Sequence, residues 1–183
     1  EIYLDPNGVT IKAADNAVVG ESYDLDSVSY LVVDSALLYE MMDKFDQSRT
    51  AEEDAELRES FSKIVTTRVN NIYQLFTGSP DKARFNEDIS SWDVSNITSM
   101  EDAFLSNQKF NQDIGSWDVS NVKNMDSMFS GAIEFNQDIS SWDVSNVAVM
   151  RSIFMSAQSF DQDISSWNIS SEVTDMSGMF QDS

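Results

Sequence analysis

The chain has 183 residues, 41% of them hydrophobic, and carries a net charge of −21 with neither cysteine nor histidine. That length suits one ordinary domain; the lack of Cys excludes disulfides and zinc–cysteine sites, and the lack of His removes the commonest general base and metal ligand. The acidic excess excludes nucleic acid as a partner, because phosphate binding needs Lys and Arg, and no apolar run is long enough for a transmembrane helix, so direct membrane insertion is not expected.

The N-terminal third reads as small β structure followed by helices. Glu1 opens directly into Ile2-Tyr3-Leu4, a strand-like start that fits a processed, mature chain. Asp5-Pro6-Asn7-Gly8 is a turn signal before Val9-Thr10-Ile11. Tyr23-Asp24-Leu25 and Val28 to Val33 flank Asp26-Ser27, a hairpin pattern. Asp34 or Ser35 is then placed to cap a helix whose Leu37, Leu38, Met41, Met42 and Phe45 share one face. A linker, Asp46-Gln47-Ser48-Arg49, precedes a second helix. There Thr50 and Glu53 form a capping-box pattern, and Glu52, Glu53 and Asp54 sit in the first turn.

From Phe85 the chain repeats itself. Phe85, Phe110, Phe135 and Phe160 are 25 residues apart, as are Trp92, Trp117, Trp142 and Trp167. Self-similarity at such a period signals stacked units that share one core. Trp117-Asp118-Val119 alternates apolar and polar residues, the pattern of a short strand. Val122, Met125, Met128 and Phe129 follow at spacings of three and four, the pattern of a helical turn, with Asn121 as its N-cap. The expected fold is therefore α+β: a solenoid with one short parallel strand and one short helical segment per 25-residue repeat, behind an N-terminal β and helical cap. Residues 1–60 are assigned to the cap and 61–84 to a degenerate first repeat, in which Ile64, Val69, Ile72, Leu75 and Phe76 align with Trp117, Val122, Met125, Met128 and Phe129. Residues 85–183 are four repeats, the last lengthened by one residue near Ser171. They are expected to continue beyond Ser183, where another Phe-Asn-Gln-Asp-Ile is due.

The motif F-N-x-D-I-x-x-W-D-V-S-N-V-x-x-M-x-x-x-F over Phe85 to Ser183 resembles the BspA-like leucine-rich repeat of bacterial surface proteins and mycoplasma-type lipoproteins. The resemblance implies a leucine-rich-repeat solenoid at a cell surface, in a family some of whose members are adhesins. One departure is that Val122 stands where the general leucine-rich pattern has Asn, with Asn121 one place earlier.

Residues 85–183 hold 16 acidic residues and three basic ones (Lys109, Lys123 and Arg151), a balance of −13. If Trp117 and Val119 point inward, Ser116, Asp118 and Ser120 point outward, as do Ser141, Asp143 and Ser145 in the next repeat. This polar strip is the candidate binding face. Asp93, Asp118 and Asp143 are expected side by side on adjacent strands, repelling one another. Either local turn N–H groups compensate them, or a shared Ca²⁺ does, the one candidate cofactor. Repeated like carboxylates do not make the unlike pair that acid–base catalysis needs, and no serine has a His or Lys partner in view, so the chain is read as no enzyme. The expectation is a cell-surface or secreted interaction module, adhesin-like, for a protein or glycan partner. The alternative is a structural spacer or scaffold that displays another domain.

Overall fold

A computed structural model describes residues 1–47 and 50–183. The linker predicted at Asp46 to Arg49 therefore lies partly outside the described residues, at Ser48 and Arg49. Strands β1 (Ile2–Leu4) and β2 (Ile11–Ala13) form an antiparallel pair. Strands β3 (Ser22–Leu25) and β4 (Val28–Asp34) form a second one, closed by Asp26 and Ser27 at positive φ (49° and 66°). Both central residues are left-handed, as a tight two-residue hairpin requires. Strand β5 (Ile64–Arg68) lies parallel to β4, so this second sheet is mixed.

Between β4 and β5 run helices α1 (Ser35–Phe45) and α2 (Ala51–Ser60). Asp34 caps α1 by accepting from the Leu37 N–H at 2.9 Å. Thr50 and Glu53 form the capping box of α2, with the Thr50 N–H on Glu53 Oε2 at 2.9 Å and the Glu53 N–H on Thr50 Oγ1 at 3.3 Å. Helix α1 buries Leu38, Met41, Met42 and Phe45. Phe45 meets Phe61 and Phe85 edge-on at ring separations of 5.8 and 5.6 Å, joining α1 to the repeats in one apolar cluster. Phe61 both ends α2 and opens the next unit, since its carbonyl takes the Trp92 indole N–H.

The expected leucine-rich-repeat-type solenoid, with a strand and a helical segment in each repeat, does not form. The regular elements make a small α+β fold of two small sheets and two helices, and all of them lie before Phe85. Among the described residues, 85–183 contains turns and three isolated parallel bridges, Ser99↔Asn124, Asn124↔Val149 and Val149↔Asp175. These bridges fall after the Trp-Asp-Val stretch that was read as the strand.

Two local causes explain the difference. First, the segment read as helical contains a left-handed residue: Asp102, Ser127 and Ser152 have φ of 56°, 54° and 52°. A right-handed helix cannot pass through such a residue. The main chain instead alternates its partners. The N–H groups of Met125, Ser127, Phe129 and Gly131 reach the carbonyls of Val149, Arg151, Ile153 and Met155 in the next unit, at 2.7–2.9 Å. The residues between them close local turns, as Met128 N–H does on the Met125 carbonyl at 3.2 Å. Secondly, Asp side chains replace the ladder partners that a strand would use. Asp118 Oδ1 accepts from the Ser120 N–H at 3.1 Å and from its hydroxyl at 2.6 Å. Among the described residues no main-chain bond joins Trp117 to Val119 with a neighbouring unit.

The apolar columns nevertheless pack inward. Phe76, Phe104, Phe129, Phe154 and Phe180 stack at ring separations of 4.7, 5.4, 5.9 and 5.7 Å. The indole N–H groups of Trp117, Trp142 and Trp167 donate to the carbonyls of Ile89, Ile114 and Ile139, each in the preceding unit, at 3.0–3.1 Å. All four tryptophans are buried.

Truncating Trp117 to Ala is expected to cost about 3–5 kcal/mol in chemical denaturation, because it opens a cavity and removes the indole bond to the Ile89 carbonyl of the preceding unit. Gly115 makes a sharper prediction. Ser90, Ser140 and Ser165 hold the matching place in the other units, so Gly115→Ser restores the pattern. Yet a Cβ on Gly115 meets the Asp138 carbonyl oxygen at 2.6 Å, so this consensus substitution is expected to lower the melting midpoint.

Candidate binding face

The face is built on turns. In each unit an Asp accepts the N–H of the residue two places on, a bond the short carboxylate makes without leaving its own turn. Asp88 holds Ser90, Asp113 holds Gly115, Asp138 holds Ser140 and Asp163 holds Ser165, all at 2.9–3.0 Å. Asp93, Asp118 and Asp143 hold Ser95, Ser120 and Ser145 at 3.0–3.1 Å. These bonds hold the carboxyls of Asp138, Asp143 and Asp163 below the usual carboxylate range, the serine side chain contributing most and the serine N–H next. The neighbouring Asp163 charge opposes the effect weakly at Asp138.

The strip residues do not share one environment. Asp118 and Asp143 are exposed, and Ser120 and Ser145 are half-buried. Ser141 directs its hydroxyl to the Gly115 carbonyl at 2.8 Å, and half-buried Ser116 makes a longer bond of 3.4 Å to the Ser90 carbonyl. Asp93 is only 2% exposed. Its Oδ2 accepts from Thr67 Oγ1 at 2.8 Å while its Oδ1 takes Ser95. It lies in a cleft of about 260 Å³ lined also by Asp5, Asn7, Thr10, Lys12 and Asp118. The β1–β2 pair closes this cleft, anchored by the Ile11 N–H on the Ser91 carbonyl at 3.0 Å. Lys12 bridges Asp5 at 2.8 Å there, and the bond to Asp5 raises its pKa, with a smaller contribution from the Asp93 charge. The three aspartates expected on adjacent paired strands thus sit on turns, and among the described residues no group of three or more acidic side chains is placed to hold a metal ion.

Asparagine ladders join the units on this side, where the sequence reading placed only Asn121, as a helix N-cap one place before the Asn of the general leucine-rich pattern. The Asn111 N–H donates to Asn86 Oδ1 at 2.8 Å, and the Asn136 N–H to Asn111 Oδ1 at 2.9 Å. Gln112 and Gln137 add amide donors to the Asn86 and Asn111 carbonyls at 2.9 and 2.8 Å. A second row runs from Asn96, Asn121 and Asn146 to the carbonyls of Thr67, Ser95 and Ser120 at 2.8–2.9 Å. The recurrence of both asparagines at the 25-residue period was the available signal. Asn107 is fully buried and has no counterpart, because Ala132 and Ala157 follow at its place. Its amide donates to the Lys82 and Phe85 carbonyls while its oxygen accepts from the Lys109 and Phe110 N–H groups.

No helix among the described residues is long and apolar enough to cross a membrane. A family model described as "Mycoplasma protein of unknown function, DUF285" matches the chain over residues 39–140 and 70–183. Nothing among curated proteins or solved structures matches it.

The lowered carboxyls set a pH dependence. A depressed folded-state pKa contributes stability that is present above the unfolded value and lost as pH falls through the folded one. Asp143→Asn is therefore expected to lower the melting midpoint at neutral pH, and the gap to the parent should close below pH 3.8, the ordinary Asp value. A gap that persists unchanged into strong acid contradicts the role given to the carboxylate.

Proposed function

The chain belongs to the DUF285 family, and on that premise we propose that it is a non-enzymatic interaction module at a cell surface, related to the BspA-like surface repeats in its motif. The observation that carries this reading is the exposed carboxylate array. Asp113, Asp118, Asp138, Asp143 and Asp163 all face solvent, and each of Asp118, Asp138, Asp143 and Asp163 is held by serine N–H groups on turns. Side chains fixed in this way lose little freedom on binding, which favours recognition. The sign of the array selects a cationic partner: a basic protein surface or a glycan bearing amines. Such an encounter is steered by charge and weakens with salt.

A structural spacer is the second reading, favoured by a specific observation. The hydroxyls of Ser141 and Ser166 are already committed to main-chain carbonyls at 2.8 Å, so part of the strip is spent holding units together.

The two readings separate in a binding experiment. The chain is passed over immobilised matrix proteins, basic proteins and glycans at about 0.15 M salt, where screening acts over roughly 8 Å. An interaction module gives saturable binding that weakens with salt and is reduced in an Asp118→Asn, Asp143→Asn double variant. Binding to none of the surfaces supports the spacer.

A further inference from the structure

Strand β2 shows how the chain occupies its own face at the unit of Trp92. Along one edge β2 pairs with β1. Along the other it meets the repeats: the Ile11 N–H donates to the Ser91 carbonyl at 3.0 Å, and the Ala13 N–H to Thr67 Oγ1 at 3.0 Å. Alternate residues of one extended strand thus reach two successive units. Lys12, between them, stands in the cleft with Asp93 and Asp118, and the Asp93 charge is among the causes that raise its pKa. Ser91 and Asp93 recur as Ser116 and Asp118, and again as Ser141 and Asp143. Both copies have a stacked unit on either side. Among the described residues neither the Ser116 nor the Ser141 carbonyl accepts a hydrogen bond, and neither Asp118 nor Asp143 forms an ion pair. Both aspartates are exposed, whereas Asp93 is buried.

We infer that the face formed by Ser116, Asp118, Ser141 and Asp143 binds an extended basic polypeptide segment through the free edge of that segment, as β2 meets Ser91. The inference rests on the interaction-module reading and narrows its partner to one chemistry. Two observations select this occupant. The face continues an interface that the fold already uses, since the same carbonyl is taken by a strand N–H one unit earlier. The charges are complementary as well. A strand edge presents an N–H at every second residue, and a lysine or arginine between two such donors, placed as Lys12 is, meets the unpaired Asp118 and Asp143. Main-chain bonds then supply affinity and the carboxylates select the side chain. An amine-bearing glycan matches the charge but not the main-chain donors, and the test separates it. A second copy of the chain is disfavoured by its net charge of −21.

The test uses the intact isotope-labelled chain and an end-capped peptide of alternating threonine and lysine, about eight residues long. Its threonine N–H groups flank each lysine as Ile11 and Ala13 flank Lys12. Saturable binding should move the NMR amide signals of Trp117 and Trp142, whose nitrogens share a peptide group with the Ser116 and Ser141 carbonyls. Trp92 should stay near its free position, because Ile11 holds the Ser91 carbonyl. Methylating the threonine nitrogens keeps the charge and removes the donors, and should weaken binding by about tenfold or more. Methylating the lysine nitrogens, on the other edge, should be tolerated, and a threonine–glutamine peptide should bind far more weakly. No binding up to about 1 mM peptide, equal affinities for the two methylated peptides, undiminished binding of the glutamine peptide, or shifts that spare Trp117 and Trp142 each overturns the inference. A glucosamine oligomer run in parallel distinguishes the two levels. If it binds saturably and the peptide does not, the interaction-module reading stands and this inference falls; if neither binds, both fall.

Discussion

Buried main-chain groups must find partners, and that constraint governs residues 85–183. Without a regular strand or helix, these residues lack the usual local solution. They meet the requirement by division of labour. From Met125 to Gly131 alternate N–H groups cross to the next unit and those between close turns within their own, while Lys123 and Glu134 reach back to carbonyls of the preceding unit. A unit is thus satisfied only when its neighbour is in place, and its stability is tied to that neighbour. The left-handed residues are what make the alternation possible. In the first three units they occur in pairs four apart, Asp102 with Ser106, Ser127 with Gly131 and Ser152 with Ser156. In the last unit the pair is Gly178 and Asp182, displaced by the one inserted residue. Gln74 and Gly78 carry the same pair before the first tryptophan.

The opposite wall solves the same problem with side chains. There Asp closes each turn, Asn bridges to the neighbouring unit, and the Trp indole adds a second donor to an Ile carbonyl already bound by a main-chain N–H of its own unit. One wall is held by the backbone and the other by polar side chains, with the phenylalanine stacks between. This explains why the repeat conserves so many small polar residues from unit to unit: they do the work that a β-ladder would do elsewhere.

The same arrangement shapes the electrostatics. A row of carboxylates this dense should repel, and the opposing influence of Asp163 on Asp138 shows that it does. Serine hydroxyls and N–H groups outweigh it, and the Asp138 carboxyl stays below the usual carboxylate range. The surface is consequently acidic, fixed in geometry and largely devoid of the Tyr, Trp and Arg anchors that concentrate binding energy in protein interfaces. Recognition by such a face rests on charge and shape rather than on a buried apolar anchor.

The sequence by itself determined which residues go inside. All four tryptophans are buried, as are Phe85, Phe110 and Phe135, Phe104, Phe129 and Phe154, and Met100, Met125 and Met150, as their spacing required, because removing apolar area from water does not depend on the path the backbone takes. It also determined the helix caps at Asp34 and Thr50, since these are bonds within four residues. The main-chain path was decided by tertiary structure. Spacings of three and four at Met125, Met128 and Phe129 suit a helix, but Ser127 adopts φ 54°. The N–H groups on either side of it find their acceptors in a unit 25 residues away, and no local propensity records a partner at that distance. The fate of the aspartates was decided in the same way. Asp93, Asp118 and Asp143 occupy identical sequence contexts, yet only Asp93 is buried, because the β1–β2 pair lies across it and Thr67 meets its second oxygen. Identical repeats acquire different environments from what is stacked or folded against them, and that information lies in segments far away along the chain.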